Sequence, residues 1–202
     1  MFTGIIESLG RIESVRSLGG DSRMTFIADD GYLDGVGLGD SVAVNGVCLT
    51  VAGHVAHGFV ADLSKETLGA TTASAWQSGD RINLEKALTP SKPLGGHLVS
   101  GHVDGVGFLV DRHEDARSWR MHFQCPPELS RYIARKGSIT INGISLTVND
   151  VEGDRFGVNI IPQTLEKTTL GGLGAGGKVN LEVDLIARYL ERLIQGRGAG
   201  NE

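Results

Sequence analysis

Cysteine is scarce in this 202-residue chain: only Cys48 and Cys125 occur, with no CxxC pair. Two isolated thiols exclude a disulfide framework and fit a reducing compartment. An excess of positive charge is also missing. Nineteen Lys and Arg stand against 24 Asp and Glu, a net charge of −5, so the basic stripe of a nucleic-acid binder is absent. No apolar run approaches a membrane span. The opening MFTGIIESLG lacks the basic flank and long apolar core of a signal peptide, so a cytoplasmic protein is the default expectation. Proline is sparse at 5 residues while glycine reaches 30, a balance that favours many tight turns and β structure. The length suits one large or two small domains.

An internal repeat decides between them. NGVCLTV at 45–51 returns as NGISLTV at 142–148, an offset of 97 residues. The same offset aligns FVADLSKETLGATT (59–72) with FGVNIIPQTLEKTT (156–169). It also aligns GDRINLE (79–85) with GGKVNLE (176–182), and TGIIESLG (3–10) with SGHVDGVG (100–107). Ordered matches at a constant offset indicate a duplicated domain without insertions. The expected division is 1–97, 98–184 and a tail over 185–202, with the Pro/Gly-rich stretch TPSKPLGGH (89–97) joining the copies.

Within each copy, VAVNGVCLTV and ITINGISLTV are alternating runs around Asn-Gly, which predicts a type I′ hairpin. Further strands are expected over 10–15, 23–28, 58–63 and 81–86 and their counterparts, with a short helix inside 65–72. Many short strands with close turn signals suggest a small closed barrel, since closure removes unpaired edges. The tail DLIARYLERLIQ (184–195) spaces Leu185, Ile186, Tyr189, Leu190, Leu193 and Ile194 as the apolar face of a helix. That face either packs on its own barrel or joins chains. The glycine-rich stretch 171–177 lacks the strand-to-helix context of a phosphate loop and is read as a flexible loop.

The residues with chemical potential fall on the hairpins. Cys48 aligns with Ser145, and Thr50 with Thr147; positions i and i+2 share a strand face, so each copy carries a polar pair on one face. For Cys48 alone, a small buried apolar group is the plainer reading. The matching Ser145 weighs against that, because a serine hydroxyl in an apolar core goes unmet. His97 and His102 are five residues apart, a spacing that no regular element aims at one metal, and no third ligand completes a catalytic zinc set. Proton transfer suits His102 better. His54, His57, His113 and His122 read as surface or loop residues. Asp62, Lys65, Glu66 and Thr67 align with Asn159, Pro162, Gln163 and Thr164, a polar run suited to a hydrogen-bonding heterocycle or polyol, or to a surface turn.

Taken together, MFTGIIE, VAVNGVCLTV, GGHLVSGHVDG, ITINGISLTV and IIPQTLEKTTL resemble the riboflavin synthase alpha-chain family, in order and from residue 1 to about 193. The resemblance implies an all-β chain of two tandem six-stranded Greek-key barrels with a C-terminal amphipathic helix that holds a homotrimer. It implies a dismutation of two 6,7-dimethyl-8-ribityllumazine molecules by four-carbon transfer, giving riboflavin and 5-amino-6-ribitylaminouracil, with no metal or organic cofactor. Association with lumazine synthase is left open. By matching position, the first pocket would comprise Gly4, Ile5, Ile6, Cys48, Leu49, Thr50, Asp62, Leu63, Ser64, Lys65, Glu66 and Thr67. The second would comprise Gly101, His102, Val103, Lys136, Ser145, Leu146, Thr147, Ile161, Pro162, Gln163, Thr164, Leu165 and Glu166. Catalysis is assigned to Cys48 and His102, with Phe2, Ser41, Thr50, His97, Ser145, Thr147 and Asp184 in support. Gln163 departs from the acidic residue expected in many relatives.

Two other functions compete. A non-catalytic lumazine or flavin carrier, such as the antenna proteins of luminous bacteria, resembles the same pattern. Those carriers have generally lost residues of one pocket, whereas polar pairs persist in both copies here. A barrel that binds oligonucleotides is disfavoured by the acidic charge.

Overall fold

The structure, a computed structural model, describes residues 1–198. The first copy contributes β1 (Ser8–Leu18), β2 (Asp21–Ile27), β3 (Ser41–Val44), β4 (Val47–Thr50), β5 (Gly53–Val55), β6 (Gly58–Leu63), α1 (Lys65–Ala70) and β7 (Arg81–Lys86). The second contributes β8 (Gly105–Asp115), β9 (Ser118–Gln124), β10 (Ser138–Ile141), β11 (Ile144–Glu152), β12 (Arg155–Ile160), α2 (Pro162–Lys167) and β13 (Lys178–Val183), and α3 (Leu185–Gly198) follows. The chain is all-β apart from these short helices, a few 3-10 turns and α3.

The second copy closes into a six-stranded barrel in the order β10-β11-β12-β9-β8-β13, while the first forms a seven-stranded sheet, β4-β3-β7-β1-β2-β6-β5. The two orders are the same once β4 and β5 together are set against β11. The expectation of six strands in each copy therefore differs at one corner. There β11 bends through a bulge between Val148 and Asp150, whereas the first copy breaks its ladder at Val51 and Ala52, with the Ala52 N–H reaching the Val60 carbonyl at 2.8 Å. A bulge and a break are two ways of turning a strand sharply around a small barrel.

The hairpins form as their Asn-Gly pairs require. Asn45 and Gly46 have φ of 45° and 80°, and Asn142 and Gly143 have 48° and 81°, the two consecutive positive values of a type I′ turn. Inward residues of each copy build a separate core. Ile12, Phe26, Phe59 and Leu84 fill the first, and Leu109, Phe123, Phe156 and Leu181 the second. Phe26 and Phe59 have ring centroids 5.1 Å apart and Phe123 and Phe156 5.8 Å, within the range of favourable aromatic pairs.

Strands β7 and β13 are buried on both faces. Ile82 and Leu84, like Val179 and Leu181, enter their own cores, while the alternate Asn83, Glu85, Asn180 and Glu182 are buried polar residues. The asparagines lock the copies together. Asn83 Nδ2 donates to the Asn142 carbonyl (2.9 Å) and to Thr169 Oγ1 (3.0 Å), and its Oδ1 accepts from the Thr169 N–H (2.8 Å). Asn180 mirrors this, donating to the Asn45 carbonyl (2.9 Å) and accepting from the Thr72 N–H (2.7 Å). Buried polar groups satisfied only across an interface fix its geometry, because any other docking leaves them unpaired.

Helix α3 lies with its polar face on the second copy. Arg188 pairs with Asp104, and Glu191 pairs with Arg131 (2.8 Å) and Tyr132. The expected apolar face is left bare: Ile186, Tyr189, Leu190, Leu193 and Ile194 are all more than half exposed, and Leu185 is half-buried. Among the described residues no helix is long and apolar enough to cross a membrane.

Asn83→Ala should lower unfolding stability by about 2 kcal/mol, because it strands the buried Asn142 carbonyl and the half-buried Thr169 N–H that Asn83 satisfies. Chemical denaturation followed by Trp fluorescence measures this, and a change below about 0.5 kcal/mol would show that the asparagines do not hold the copies together.

Candidate active site

Each copy begins with a short segment that its own barrel grips and the other barrel receives. Glu85 Oε1 accepts from the Thr3 N–H and hydroxyl (both 2.7 Å), and Oε2 from the Gly4 N–H (2.9 Å). The Gly4 carbonyl then accepts from the N–H of Ser145, in the second barrel, at 2.7 Å. The mirror image holds for Glu182, which accepts from the Ser100 N–H (2.7 Å), the Ser100 hydroxyl (2.6 Å) and the Gly101 N–H (3.0 Å). The Gly101 carbonyl accepts from the N–H of Cys48, in the first barrel, at 2.8 Å. Burial pushes the Glu182 carboxyl above the usual range, against the pull of these hydrogen bonds.

Only glycine fits at the two crossing points. Gly4 and Gly101 have φ of +75° and +79°, and a Cβ there would lie 2.5 Å from Ser145 Cβ and 2.7 Å from Cys48 Cβ. Each therefore has both reasons for glycine, a left-handed backbone and a close approach. Side chains beyond follow the crossing, as Ile6 packs against the second core and Val103 against the first.

This corrects the pocket assignment expected from the sequence. Gly4, Ile5 and Ile6 belong with Ser145, and Gly101, His102 and Val103 with Cys48. A cavity of about 250 Å³ in the second barrel is lined by Gly4, Ile5, Ile6, Ile144, Ser145, Gln163, Thr164, Lys167 and Thr168. Ile144, Lys167 and Thr168 were not anticipated. Extending the repeat one residue before Ser145 and two beyond Glu166 would have reached them: Thr168 aligns with Thr71 and Ile144 with Val47, and only Lys167, opposite Ala70, lacks a like partner. By the same repeat, the first barrel sets Cys48, Gly101, exposed His102 and half-buried Thr67 around the corresponding place.

Ser145 has a partner that Cys48 lacks. His97 Nδ1 lies 2.7 Å from Ser145 Oγ, and Nε2 lies 3.2 Å from Thr140 Oγ1. A neutral imidazole satisfies both, donating through one nitrogen and accepting through the other. Burial depresses its pKa, with Asp184 pulling the other way. Asp184 itself caps α3 through the Ile186 N–H at 3.0 Å. Thus His97, Ser145 and Asp184 are brought to one side of the second barrel.

The other expected site residues are placed as follows. Ser41 pairs across the ladder with Thr50, as Ser138 does with Thr147; Ser138 was missed, although the repeat aligns it with Ser41. Ser41 lines a separate cavity of about 610 Å³ with Glu7, Asp40, Lys86 and Lys92. Phe2 is wholly buried with Ala43 and Val99, and Cys48 packs on it, so it supports the strand from behind. Leu49 and Leu63 lie in the first core, Leu146 and Leu165 against the second. Asp62 is held by Arg23 in a two-pronged ion pair at 2.7 Å, which lowers its pKa. Ser64 caps α1 through the Thr67 N–H (3.2 Å), Lys65 and Glu66 are exposed in that helix, and Ile161 and Pro162 begin α2, with Glu166 exposed on it. Lys136 is exposed, with φ of 68°, and does not reach the cavity within the chain.

A duplicated barrel that presents a polar strand pair and a short helix at each pocket is the architecture of a lumazine-binding protein. The family model described as "Lumazine binding domain" matches residues 3–87 and 100–184. Riboflavin synthase from Photobacterium phosphoreum is 44% identical over 96% of this chain and 89% of its own length. The enzyme from Mycobacterium tuberculosis H37Rv is 43% identical over 98% of this chain and its whole length, and that from Bacillus subtilis 39% over 96% and 90%. The chain belongs to the riboflavin synthase family of enzymes. Among solved structures, LumP complexed with riboflavin superposes with a TM-score of 0.83 at 27% identity, covering 91% of this chain and 99% of LumP. LumP complexed with 6,7-dimethyl-8-(1'-D-ribityl) lumazine shares the fold, with a TM-score of 0.82 at 24% identity over 91% of this chain and 99% of LumP.

The two thiols should separate cleanly. Cys125 is buried, donates to the Asp154 carbonyl at 3.2 Å and has its pKa pushed up to about 11 by burial, leaving about 300-fold less thiolate at neutral pH than an ordinary thiol. Half-buried Cys48 should react with a chromogenic disulfide in the native protein and Cys125 only after denaturation. Rapid labelling of two thiols per native chain would contradict this. For His97, the depressed pKa means that its share of stability is present above about pH 6.5 and lost as pH falls below it. The melting-temperature advantage of the wild type over His97→Gln should therefore shrink between pH 7.5 and pH 5; a constant difference would show that folding leaves the His97 pKa unchanged.

Proposed function

We propose that the chain is a riboflavin synthase, a transferase that joins two 6,7-dimethyl-8-ribityllumazine molecules and moves a four-carbon unit from one to the other, releasing riboflavin and 5-amino-6-ribitylaminouracil. The observation that carries this reading is identity above 40% to riboflavin synthases across nearly the whole chain, with a polar pair retained in both copies. Donor and acceptor start identical and end differently, so the two pockets need similar shape and unlike chemistry. One offers Cys48 beside the segment bearing His102, while the other offers Ser145 backed by His97, with Ile5 where His102 would be. In the proposed roles, His102 takes a proton from the C7 methyl of one lumazine and Cys48 assists addition at C7, with Thr50, Ser41, Thr147 and Asp184 orienting the substrates. Holding the pair in register replaces a bimolecular encounter, an advantage of roughly 7–11 kcal/mol.

The segments 1–97 and 98–184 then act as two lumazine-binding barrels and 185–202 as the element that joins chains. The bare apolar face of α3 supports a homotrimer, because a contiguous exposed apolar stripe calls for a cover, and the reaction site is formed by the first barrel of one chain and the second of its neighbour. Residence in the cytoplasm accords with the two unpaired cysteines.

Purified protein incubated with the lumazine should produce riboflavin, followed by its absorbance; binding without turnover would make it a carrier instead. A double variant Cys48→Ala, Thr50→Ala and another, Ser145→Ala, Thr147→Ala, should each lose activity by 10²-fold or more, the low end of a positioned proton-transfer contribution. Co-expressed with different tags, they should regain part of it in mixed oligomers. Confirmed mixed oligomers with no recovery would reject a shared site.

A further inference from the structure

The outer face of the second barrel carries a group of ligands remote from the cavity-lining residues. Asp111 and His113 stand two residues apart on β8 and so share a face. His122 lies directly opposite Asp111 on β9. Among the described residues these three form a group whose ligating atoms all lie within 4.8 Å of one another. We propose that Asp111, His113 and His122 form a binding site for a zinc-class divalent cation, clipping β8 to β9.

The distances suit such an ion. Asp111 Oδ1 lies 3.1 Å from His122 Nδ1 and 3.5 Å from His113 Nδ1. Tetrahedral zinc, with ligands about 2.0–2.1 Å away, sets its donor atoms about 3.3 Å apart, between the two measured separations. The imidazole rings are nearly parallel, with centroids 6.1 Å apart and planes at 28°, which leaves a gap bounded by both nitrogens and the carboxylate. A second carboxylate stands behind. With His122 Nδ1 turned to the ion, its Nε2 faces Asp150 Oδ1 at 3.7 Å, beyond hydrogen-bond range, so Asp150 adds negative charge behind the ring without a direct bond. The nearby guanidinium of Arg120 is neutralised by Asp115 at 2.9 Å, with Asp150 at 3.8 Å. Two imidazoles and one carboxylate select a transition metal over calcium or magnesium, and three protein ligands leave a position for water.

The site is confined to one copy. The repeat aligns Asp111, His113, His122 and Asp150 with Ser14, Arg16, Thr25 and Gly53, none of which is a good ligand, and Arg16 would repel a cation. The fold alone therefore does not explain the cluster, and the proposed transfer reaction makes no use of it.

Titration of the chelator-treated, full-length protein with Zn²⁺ by calorimetry should find one equivalent bound per chain. Co²⁺ substitution should give visible absorption bands of a low-coordinate site. Both signals should vanish in His113→Ala and in His122→Ala and persist in His57→Ala. Asp150→Asn should weaken binding by about 2–5-fold, the effect of removing one exposed charge near the site. Removing the ion should leave lumazine turnover unchanged. Zn²⁺ binding that survives in both histidine variants, or no saturable binding by the folded wild type, would overturn the proposal; circular dichroism of each variant guards against a folding defect.

Discussion

A buried carboxylate in the last strand of each barrel governs how this chain is assembled. Glu85 and Glu182 each collect three hydrogen bonds from the segment that leads into their own barrel. Both are almost fully buried. A carboxyl group so placed is tolerable only when fully hydrogen-bonded, so the leading segment has one acceptable path. That path delivers Gly4 onto Ser145 and Gly101 onto Cys48, and each pocket is consequently built from both copies. The asparagines two residues earlier, Asn83 and Asn180, close the same interface by binding the backbone of the opposing hairpin tips. Loss of a carboxylate leaves the donors of its own leading segment unmatched, and loss of an asparagine leaves the opposing hairpin tip unmatched.

On this near-symmetric frame the differences are few and local. Glu85 has Lys92 Nζ at 3.5 Å, while the residue at the equivalent offset from Glu182 is the exposed Tyr189. His97 stands behind Ser145, with no side-chain hydrogen-bond partner at Cys48 among the described residues, and His102 replaces Ile5. A reaction between two identical molecules that must end differently needs such a combination, in which a common backbone cradle holds both and a handful of side chains assigns the roles. The backbone supplies the cradle through two glycines, and the unlike side chains stand beside them.

Helix α3 extends the same logic outward. Two of its charged residues hold it to its own barrel, Arg188 with Asp104 and Glu191 with Arg131 and Tyr132. That docking fixes which side turns outward, and the outward side is the apolar one. Of the two readings open to the hydropathy pattern, packing on its own barrel is not the one the single chain shows, for the apolar face stays exposed.

The sequence by itself determined the duplication, the hairpins, most strand positions and the terminal helix, because each rests on local chemistry: Asn-Gly at a type I′ turn, period-two alternation, a helical apolar stripe. It also identified Cys48, Ser145, His97 and His102 as the residues with chemistry to offer. Only the tertiary structure decided how they are grouped. Period-two alternation tells which side chains share a strand face, but not which barrel that face meets, so Gly4 to Ile6 read naturally as part of the first pocket and proved to line the second. For the same reason the NLE triplets shared by both copies, 83–85 and 180–182, show in sequence only as repeated strand segments with one polar side. In the fold that side is the interface, and the buried carboxylate and amide at its centre are what direct each leading segment to the other barrel.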